Sequence, residues 1–377
     1  MNILPAISLY IHIPWCSKKC PYCDFNSYAV KIKIPEMQYI NHLILDLKND
    51  ISLINNRNIH TIFIGGGTPS LLKAQSIRFL LNEIKKIIFV DSNTEITIEI
   101  NPKTINYKKL LAYKEMGINR FSIGIQTFNI PQLKKLGRYD ELLNIEKIIQ
   151  IISNLNLKNI NFDLMYGLPD QSYKNALLDL EKTISLNPQH ISWYQLTIEP
   201  NTIFYAKKLN LPTTDEIWKI WKKGKSILSS SGYQQYEISS YAKKGYRCQH
   251  NLNYWHYDDY LGIGCGAHGK ITQKNGNIIR LIKKKSAIDY MNGKYINKKF
   301  LIKEKDKPFE YFINNLRLFQ PISHKHFREH TFMNIESIKD NIKNAIAEGY
   351  LIETSLTWKT TKKGKLFLNS LLELFLN

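Results

Sequence analysis

The chain has 377 residues, and 44% of them are apolar. This composition excludes an intrinsically disordered chain, and no run of about eighteen apolar residues is present that could form a transmembrane helix. The length favours two domains with full hydrophobic cores. Five cysteines, three of them clustered, and a start without a signal peptide predict a cytoplasmic protein in a reducing compartment.

The formal net charge of +20 at pH 7 is typical of proteins that bind nucleic acid or anionic membranes. Here, however, lysine is scattered among abundant isoleucine and asparagine, a pattern that A/T-biased coding produces without selection for binding. The densest basic run, at 283–285, is interpreted as a solvated loop. We therefore expect no nucleic-acid partner, and RNA binding is kept as a weaker alternative.

From residue 9 to about residue 196, short β-branched runs alternate with longer amphipathic stretches. The runs predict six strands at 9–13, 61–64, 95–100, 120–125, 161–165 and 191–196. The amphipathic stretches predict helices at 39–54, 76–88, 107–116, 145–154 and 173–185. Strand-helix units in series form a parallel sheet, and right-handed crossovers curl it. The predicted fold class is therefore α/β, with a partial or complete (β/α)6-type parallel barrel.

Three cysteines with C-x3-C-x2-C spacing follow the first predicted strand, at Cys16, Cys20 and Cys23. A short loop that presents three thiolates to one side can wrap an iron-sulfur cube and leave its fourth iron without a protein ligand. The alternatives are a zinc site completed by Cys248 or Cys265, or unrelated buried thiols. Zinc is the weaker interpretation because the following strands supply what a nucleotide-like cofactor needs.

Small or polar residues lie at the carboxyl end of each predicted strand, which is where parallel α/β folds bind ligands. They are His12, Gly65-Gly66-Gly67-Thr68-Pro69, Glu99, Asn101, Gln126, Thr127, Asp163, Tyr194, Gln195 and Thr197. A ring of such residues on successive strands predicts a single pocket.

Each of these groups has a physical task in the predicted pocket. Consecutive glycines let the backbone approach a ligand and turn N–H groups toward a carboxylate, although a plain tight turn is an equal alternative. Glu99 and Asp163 lie on strands, where a carboxylate needs a partner such as a ribose diol or an ammonium group. A salt bridge with Arg120 or Arg138 is the structural alternative for both. Arg138 can also offer its guanidinium fork to a carboxylate.

The region after residue 300 contains none of these pocket motifs. It predicts helices at 308–319 and 335–348, a hairpin of 350–352 with 356–358, and a final helix at 364–376. These elements describe a small winged-helix-like domain that serves as a lid or docking surface. We therefore expect a barrel over 1–240, a connecting segment over 241–300 and a C-terminal domain over 301–377. The glycine-rich run 262–269 is interpreted as tight packing near the pocket.

Together these motifs resemble the radical S-adenosylmethionine (SAM) superfamily, and within it the oxygen-independent coproporphyrinogen III oxidase family, over essentially the whole chain. The resemblance implies a 4Fe-4S cluster held by Cys16, Cys20 and Cys23. It also implies a radical SAM barrel whose cofactor site includes Tyr10, Tyr22, Gly66, Gly67, Thr68, Glu99, Gln126, Arg138 and Asp163.

In two features the sequence is more similar to the haem chaperone (HemW) branch of that family than to its decarboxylating oxidases. The decarboxylating oxidases carry a further cysteine where this chain has Phe25, and they have a longer segment before the first strand. The branch also has a H-N-x-x-Y-W motif, matched by residues 250–255. In this motif His250 can be an axial ligand of haem iron, with Tyr254 and Trp255 as flat apolar surface. The alternative for His250 is a packed core histidine. Cys248 could be a second ligand or an inert buried thiol, and the inert thiol is favoured.

The resemblance therefore implies a chaperone that binds haem and passes it to acceptor proteins, some of them at a membrane surface. Its 4Fe-4S cluster would carry an exchangeable SAM. The alternative is an enzyme that uses the cluster and SAM for radical oxidative decarboxylation of coproporphyrinogen III. Whether SAM is cleaved is left open by the sequence.

Overall fold

The structure is a computed structural model that describes residues 4–30, 33–139 and 141–376. The strands of the first half are β1 Ile7–Ile13, β2 Trp15–Cys16, β3 Tyr28–Ala29, β4 Ile59–Gly66, β5 Val90–Ile100, β6 Arg120–Gln126, β7 Ile160–Tyr166 and β8 His190–Gln195. The later strands are β9 Gln234–Gln235, β10 Ser240–Ala242, β11 Asp259–Ile263, β12 His268–Thr272, β13 Ile278–Lys283, β14 Ile296–Leu301, β15 Ile322–Ser323, β16 Leu351–Glu353 and β17 Thr357–Thr360.

The helices lie between these strands and after them. The first seven are α1 Glu36–Asp50, α2 Ala74–Ile87, α3 Tyr107–Glu115, α4 Ile130–Lys135, α5 Glu141–Asn154, α6 Tyr173–Ser185 and α7 Thr214–Ser230. The others are α8 Gln249–Trp255, α9 Ala287–Met291, α10 Lys307–Asn315, α11 His324–Thr331, α12 Lys339–Ala347, α13 Lys362–Leu366 and α14 Leu368–Glu373.

One twelve-stranded sheet forms the main body, in the order β14-β13-β12-β11-β1-β4-β5-β6-β7-β8-β10-β9. The six predicted strands are β1 and β4 to β8, and each pairs in parallel with the next. The prediction of a parallel α/β sheet is confirmed. Because β14 and β9 are the two edges of the described sheet, the barrel is partial.

The segment expected only to connect the two domains adds strands to this sheet. The strand β11 pairs in parallel with β1, and β12, β13 and β14 continue antiparallel from it. Sequence reading missed β11 because glycine is depleted in strands. The glycine is required by close packing: a Cβ on Gly262 would lie 2.0 Å from the carbonyl oxygen of His268. The interpretation of 262–269 as a tightly packed run is thus confirmed.

The interpretation of 283–285 as a solvated loop is wrong for Lys283. This residue ends β13 and is 1% exposed. Its Nζ donates to the carboxylates of Asp46 and Asp50 on α1, with 2.6 Å to the Oδ2 atom of Asp50. A lysine is buried here because two carboxylates replace its water shell.

The C-terminal region has its own apolar cluster, which includes Phe312, Phe327, Trp358 and Phe375. The predicted hairpin is present as β16 and β17, and β15 adds a third strand. All three predicted helices differ from expectation. α10 ends at Asn315, α12 begins only at Lys339 after a 3-10 turn, and the final helix is divided into α13 and α14 at Phe367.

Candidate functional site

The cysteine loop begins at the end of β2 and lies over the carboxyl ends of the parallel strands. Cys16 is buried, and Cys20 and Cys23 are half-buried. The amide of Cys23 donates to the carbonyl of Cys20 at 3.1 Å, which closes the turn between them. All three side chains line one cavity of 310 Å³. The loop therefore presents its three sulfurs to a single space.

Most of the residues predicted to bind a cofactor line this same cavity. Besides the cysteines they are Tyr22, Gly66, Gly67, Thr68, Glu99, Gln126, Arg138 and Asp163. The sequence prediction of a single pocket built from successive strand ends is confirmed for eight residues of the predicted ring, namely Gly66, Gly67, Thr68, Glu99, Asn101, Gln126, Asp163 and Tyr194. Lys18, Lys19 and Ser122 also line it and were not singled out from the sequence.

Some predicted residues lie elsewhere. Tyr10 lines an adjoining cavity of 300 Å³ that shares Phe25, Gly66 and Glu99 with the first. The hydroxyl of Thr127 is not in either cavity, because it donates to Asp179 on α6 at 2.5 Å. The predicted ring is thus only partly one pocket. Most of it lines the cysteine-side cavity, and His12 lines the neighbouring tyrosine-lined one. Thr127 and Thr197 line neither of them, and Gln195 lines a third, separate groove.

The glycine run is required for close approach between chain segments. Gly66 has φ of +117°, and a Cβ there would lie 2.7 Å from the His12 ring. The amide of Gly66 donates to the Oε2 atom of Glu99 at 3.0 Å, and that of Gly67 to the carbonyl of Ile13 at 2.8 Å. These two N–H groups are therefore bonded within the protein, and the expectation that they turn toward a ligand carboxylate is wrong for both.

Two buried carboxyl groups give the cavity its electrostatic character. Burial, and then the charge of Asp163, raises the pKa of Glu99 to about 8. Burial also raises the pKa of Asp163, although Asn161 and Ser122 donate hydrogen bonds to it at 2.8 and 3.3 Å. A cationic or hydroxyl-rich ligand would offset the cost of ionising these two buried carboxyl groups, so the cavity favours an ammonium, sulfonium or ribose group.

Gln126 occupies a strained position at the end of β6. Its φ is +69°, and the register of β6 against β7 shifts between Gly124 and Gln126. The hydroxyl of Tyr194 donates to the Oε1 atom of Gln126 at 2.8 Å and fixes the side chain. Such strain is held where it positions a functional group, which here faces the cavity.

The histidine of the H-N-x-x-Y-W motif is enclosed in the core. His250 is 1% exposed, and burial lowers its pKa to about 3, so the ring is neutral. Its Nδ1 atom lies 2.6 Å from the hydroxyl of Thr61 and its Nε2 atom 2.9 Å from that of Tyr254. Both ring nitrogens are engaged, and ligation of haem iron by His250 requires one of these bonds to be exchanged.

The two remaining cysteines lie away from the cysteine loop's cavity. The thiol of Cys248 is 3.6 Å from the Oε1 atom of Glu95, and burial raises its pKa to about 12, as expected for an inert thiol. Cys265 contacts the hydroxyl of Tyr39 at 3.5 Å. Neither completes a zinc site, and no three His, Cys, Asp or Glu side chains within 4–30, 33–139 and 141–376 are arranged to hold a metal ion.

Comparison with known proteins agrees with this geometry. The radical SAM superfamily profile matches residues 10–181. The chain is 59% identical to the haem chaperone HemW of Buchnera aphidicola from Acyrthosiphon pisum, with 100% of both chains covered. It is 48% identical to the haem chaperone HemW of Escherichia coli, with 99% of both covered. The chain belongs to the HemW family.

The fold of this HemW family member also matches a solved radical SAM enzyme. The coproporphyrinogen III oxidase HemN of Escherichia coli aligns with a TM-score of 0.84, covering 99% of this chain and 90% of that one. The sequence identity is 22%, so this likeness shows the fold alone. It supports a partial radical SAM barrel with added C-terminal elements.

Phe25, which separates the HemW branch from the decarboxylating oxidases in sequence, is 59% exposed. It borders both cavities at the position where an oxidase would carry its further cysteine. In the part of this chain that the structure describes, no helix has the length and apolar character needed to cross a membrane.

Proposed function

We propose that this protein binds haem and delivers it to acceptor proteins, and that its barrel holds a 4Fe-4S cluster and SAM. The observation that carries the proposal is the match to haem chaperones over the full chain, at 48% to 59% identity. Haem is the cargo, and haem-accepting proteins are the partners.

The cysteine cavity supports the assignment of the cluster. Its three thiols share one space without converging on a single point. A 4Fe-4S cluster fits this arrangement, because each thiolate binds a different iron and the fourth iron stays open. When bound there, the cluster would supply one-electron chemistry to SAM.

The remaining cavity residues would hold SAM beside the cluster. Glu99 and Asp163 would face its ammonium, sulfonium or ribose groups, since these groups would stabilise the ionised forms of the two buried carboxyls. Arg138, whose Nη1 donates to the carbonyl of Gly124 at 2.9 Å, lies at the same cavity and can pair with a carboxylate. Tyr22 and Phe25 would exclude water from the cluster.

The first experiment tests the cluster. The wild type and the Cys16→Ala, Cys20→Ala and Cys23→Ala variants are reconstituted anaerobically with iron and sulfide. We expect each of these variants to lose the visible absorbance and most of the bound iron of the cluster, because one thiolate is missing. Cys248→Ala and Cys265→Ala are matched controls and should keep both. A cluster that survives in all three loop variants would contradict the assignment.

The second experiment tests haem delivery against the oxidase alternative. Reconstituted protein is titrated with haem, and the Soret band is followed before and after addition of an apo-haem protein. A parallel sample receives coproporphyrinogen III, SAM and a reductant. We expect a specific haem spectrum that moves to the acceptor, and no decarboxylated product. Decarboxylated product without a specific haem spectrum would replace the chaperone proposal by the oxidase.

A further inference from the structure

A groove distinct from both cavities lies between the barrel and the C-terminal region. It has a volume of 930 Å³, against 310 and 300 Å³ for the cavities near the cysteines. Its walls are the exposed face of α7, the ends of β7 and β8, and the helices α13 and α14. It shares no lining residue with the cysteine cavity, so it requires its own explanation.

Flat apolar side chains form the walls of this groove. The rings of Trp218 and Trp221 stack with centroids 4.9 Å apart and planes at 22°. Trp218 is 44% exposed, and Leu366 and Phe367 on the opposite wall are 49% and 54% exposed. Exposed apolar side chains concentrated in a concave site indicate a ligand or partner surface.

The groove is also strongly cationic. Five of its lining residues are basic, Lys222, Lys225, Arg317, Lys362 and Lys365, and none of the described lining residues is acidic. Lys225 and Lys365 approach the Phe319 ring at 5.7 and 4.2 Å from its centroid. Burial lowers the pKa of both lysines. Partly buried ammonium groups beside aromatic rings favour an anionic ligand that is apolar elsewhere.

The spacing along α7 places both features on one side of that helix. Trp218, Trp221, Lys222 and Lys225 occupy positions i, i+3, i+4 and i+7, which lie on one face of a helix. Gly224 anchors the helix, because a Cβ there would lie 2.1 Å from the Trp193 ring of β8. The helix is therefore fixed on the barrel and presents an aromatic and basic face to the groove.

We propose that this groove holds the porphyrin, with its flat apolar ring against the aromatic walls and its two propionates paired with the groove lysines. The inference rests on the proposed function, which makes haem the cargo. A porphyrin is a planar, rigid dianion, and it matches a wide apolar groove with several cations and no acidic side chain. The volume lies within the range of small-molecule sites, roughly 300 to 1,000 Å³.

The groove recognises the porphyrin rather than its iron. His, Cys and Met, which ligate haem iron in many proteins, are absent from the described lining residues. Burial raises the pKa of Tyr166, the tyrosine of the groove, so its phenolate is not formed. A site without a strong axial ligand releases haem readily, which suits a protein that passes haem on.

The groove adjoins the H-N-x-x-Y-W motif without including His250. The guanidinium of Arg317, a groove residue, lies 4.6 Å from the ring centroid of Trp255. The motif thus supports one wall of the groove through its tryptophan, while its histidine is bonded to Thr61 and Tyr254. We therefore expect porphyrin binding to depend on the groove lysines and not on the histidine.

The test compares three ligands and four proteins. Haem, metal-free protoporphyrin IX and its dimethyl ester are titrated into reconstituted full-length protein, followed by absorbance or porphyrin fluorescence. The proteins are the wild type, Lys225→Glu/Lys365→Glu, Lys108→Glu/Lys147→Glu and His250→Ala. Lys108 and Lys147 are exposed on α3 and α5, outside the groove, so this variant changes the net charge equally. Circular dichroism verifies that each variant is folded.

We expect metal-free protoporphyrin to bind within about threefold of haem, and the uncharged ester at least tenfold more weakly. The groove variant should lose at least tenfold in affinity for both porphyrins, whereas Lys108→Glu/Lys147→Glu should stay within twofold of wild type. Wild type that binds neither porphyrin would overturn the proposed function together with the groove.

Two outcomes overturn the groove site alone. One is haem binding that is unchanged in Lys225→Glu/Lys365→Glu. The other is binding that requires iron and is lost in His250→Ala. If the groove variant keeps haem but no longer transfers it, the groove docks an acidic surface of the acceptor protein, and the porphyrin assignment is wrong.

Discussion

At the scale of single residues, the cavity combines a buried carboxyl pair with thiols whose charged forms are also disfavoured. Burial raises the pKa of Cys16. The hydrogen bond with Ser27 lowers it by a smaller amount, so the pKa is raised overall. The same holds for Cys23. The raised pKa values of Cys16, Cys23 and Glu99 favour the protonated forms of these three groups. Binding of iron and of a cationic ligand therefore has to be accompanied by proton release.

Glu99 gives a pH dependence that can be measured in cluster-free protein. Its pKa is raised to about 8 in the fold, whereas the unfolded chain releases this proton near the ordinary glutamate value. The folded state thus holds one more proton in the window between these values, and stability falls as pH rises through it. Between pH 5 and 8 this proton should cost the wild type about 3 kcal/mol of unfolding free energy, and Glu99→Gln should not show that decrease.

Denaturant unfolding at several pH values measures this effect. Glu146→Gln, at an exposed position on α5, is the matched control and should follow the wild type. Equal pH profiles for wild type and Glu99→Gln would mean that Glu99 is already ionised in the fold.

At the scale of elements, the strand β11 decides how the second half of the chain meets the first. It lies beside β1 with Leu9 opposite Leu261, and His268 begins the return strand directly against Gly262. The polar anchor of this pairing is Asp259, which accepts from Arg57 at 2.7 Å and from Lys270 at 3.0 Å. The parallel sheet therefore has seven strands, and Tyr260 of the added strand lines the tyrosine-lined cavity.

Gly262→Ala should destabilise the protein by about 2–4 kcal/mol, because the added methyl group meets backbone that cannot move aside. The measurement is the free energy of unfolding in denaturant. Gly293→Ala is the control, since Gly293 has a positive φ of +82° but open space around its Cβ position. The Gly293→Ala variant should lose only about 1 kcal/mol of unfolding free energy, from backbone strain. Equal losses in the two variants would contradict the close contact between β11 and β12.

At the scale of the whole molecule, a buried charge network joins distant segments of the chain. Lys283 of β13 pairs with Asp46 and Asp50 of α1, and the hydroxyl of Tyr290 on α9 donates to Asp46 at 2.6 Å. The amide of Gly264 also approaches Asp46 at 3.2 Å. The network ties the first helix to the extended sheet and thereby holds the glycine-rich turn against β1.

Lys283→Met should lower the free energy of unfolding by about 3–5 kcal/mol, because it leaves two carboxylates buried without a cation. Adding Asp46→Asn and Asp50→Asn to this variant should restore part of the loss. Lys285→Met, at the exposed end of the same run, should stay within about 0.5 kcal/mol of wild type. Thermal and denaturant unfolding compare the variants, and an equal effect at both lysines would show that Lys283 is solvated.

The cysteine loop, the six alternating strand-helix units and most residues of the cysteine cavity could be predicted from the sequence alone. These features are local: three cysteines fall within a few residues, and hydrophobic periodicity depends on neighbours along the chain. Because all carboxyl ends of parallel strands meet at one side of a sheet, residues such as Glu99 and Asp163 could be placed in one cavity before any distance was known.

The pairing of β11 with β1, the burial of Lys283 and the groove between α7 and α13 become visible only in the folded chain. Each depends on residues far apart in the chain, such as Lys283 with Asp46, and no local pattern encodes such a contact. The same is true of His250, whose motif was visible in sequence although its bonds to Thr61 and Tyr254 were not. The residue type sets the chemistry of a side chain, but its burial and its partners follow from the packing of the whole chain.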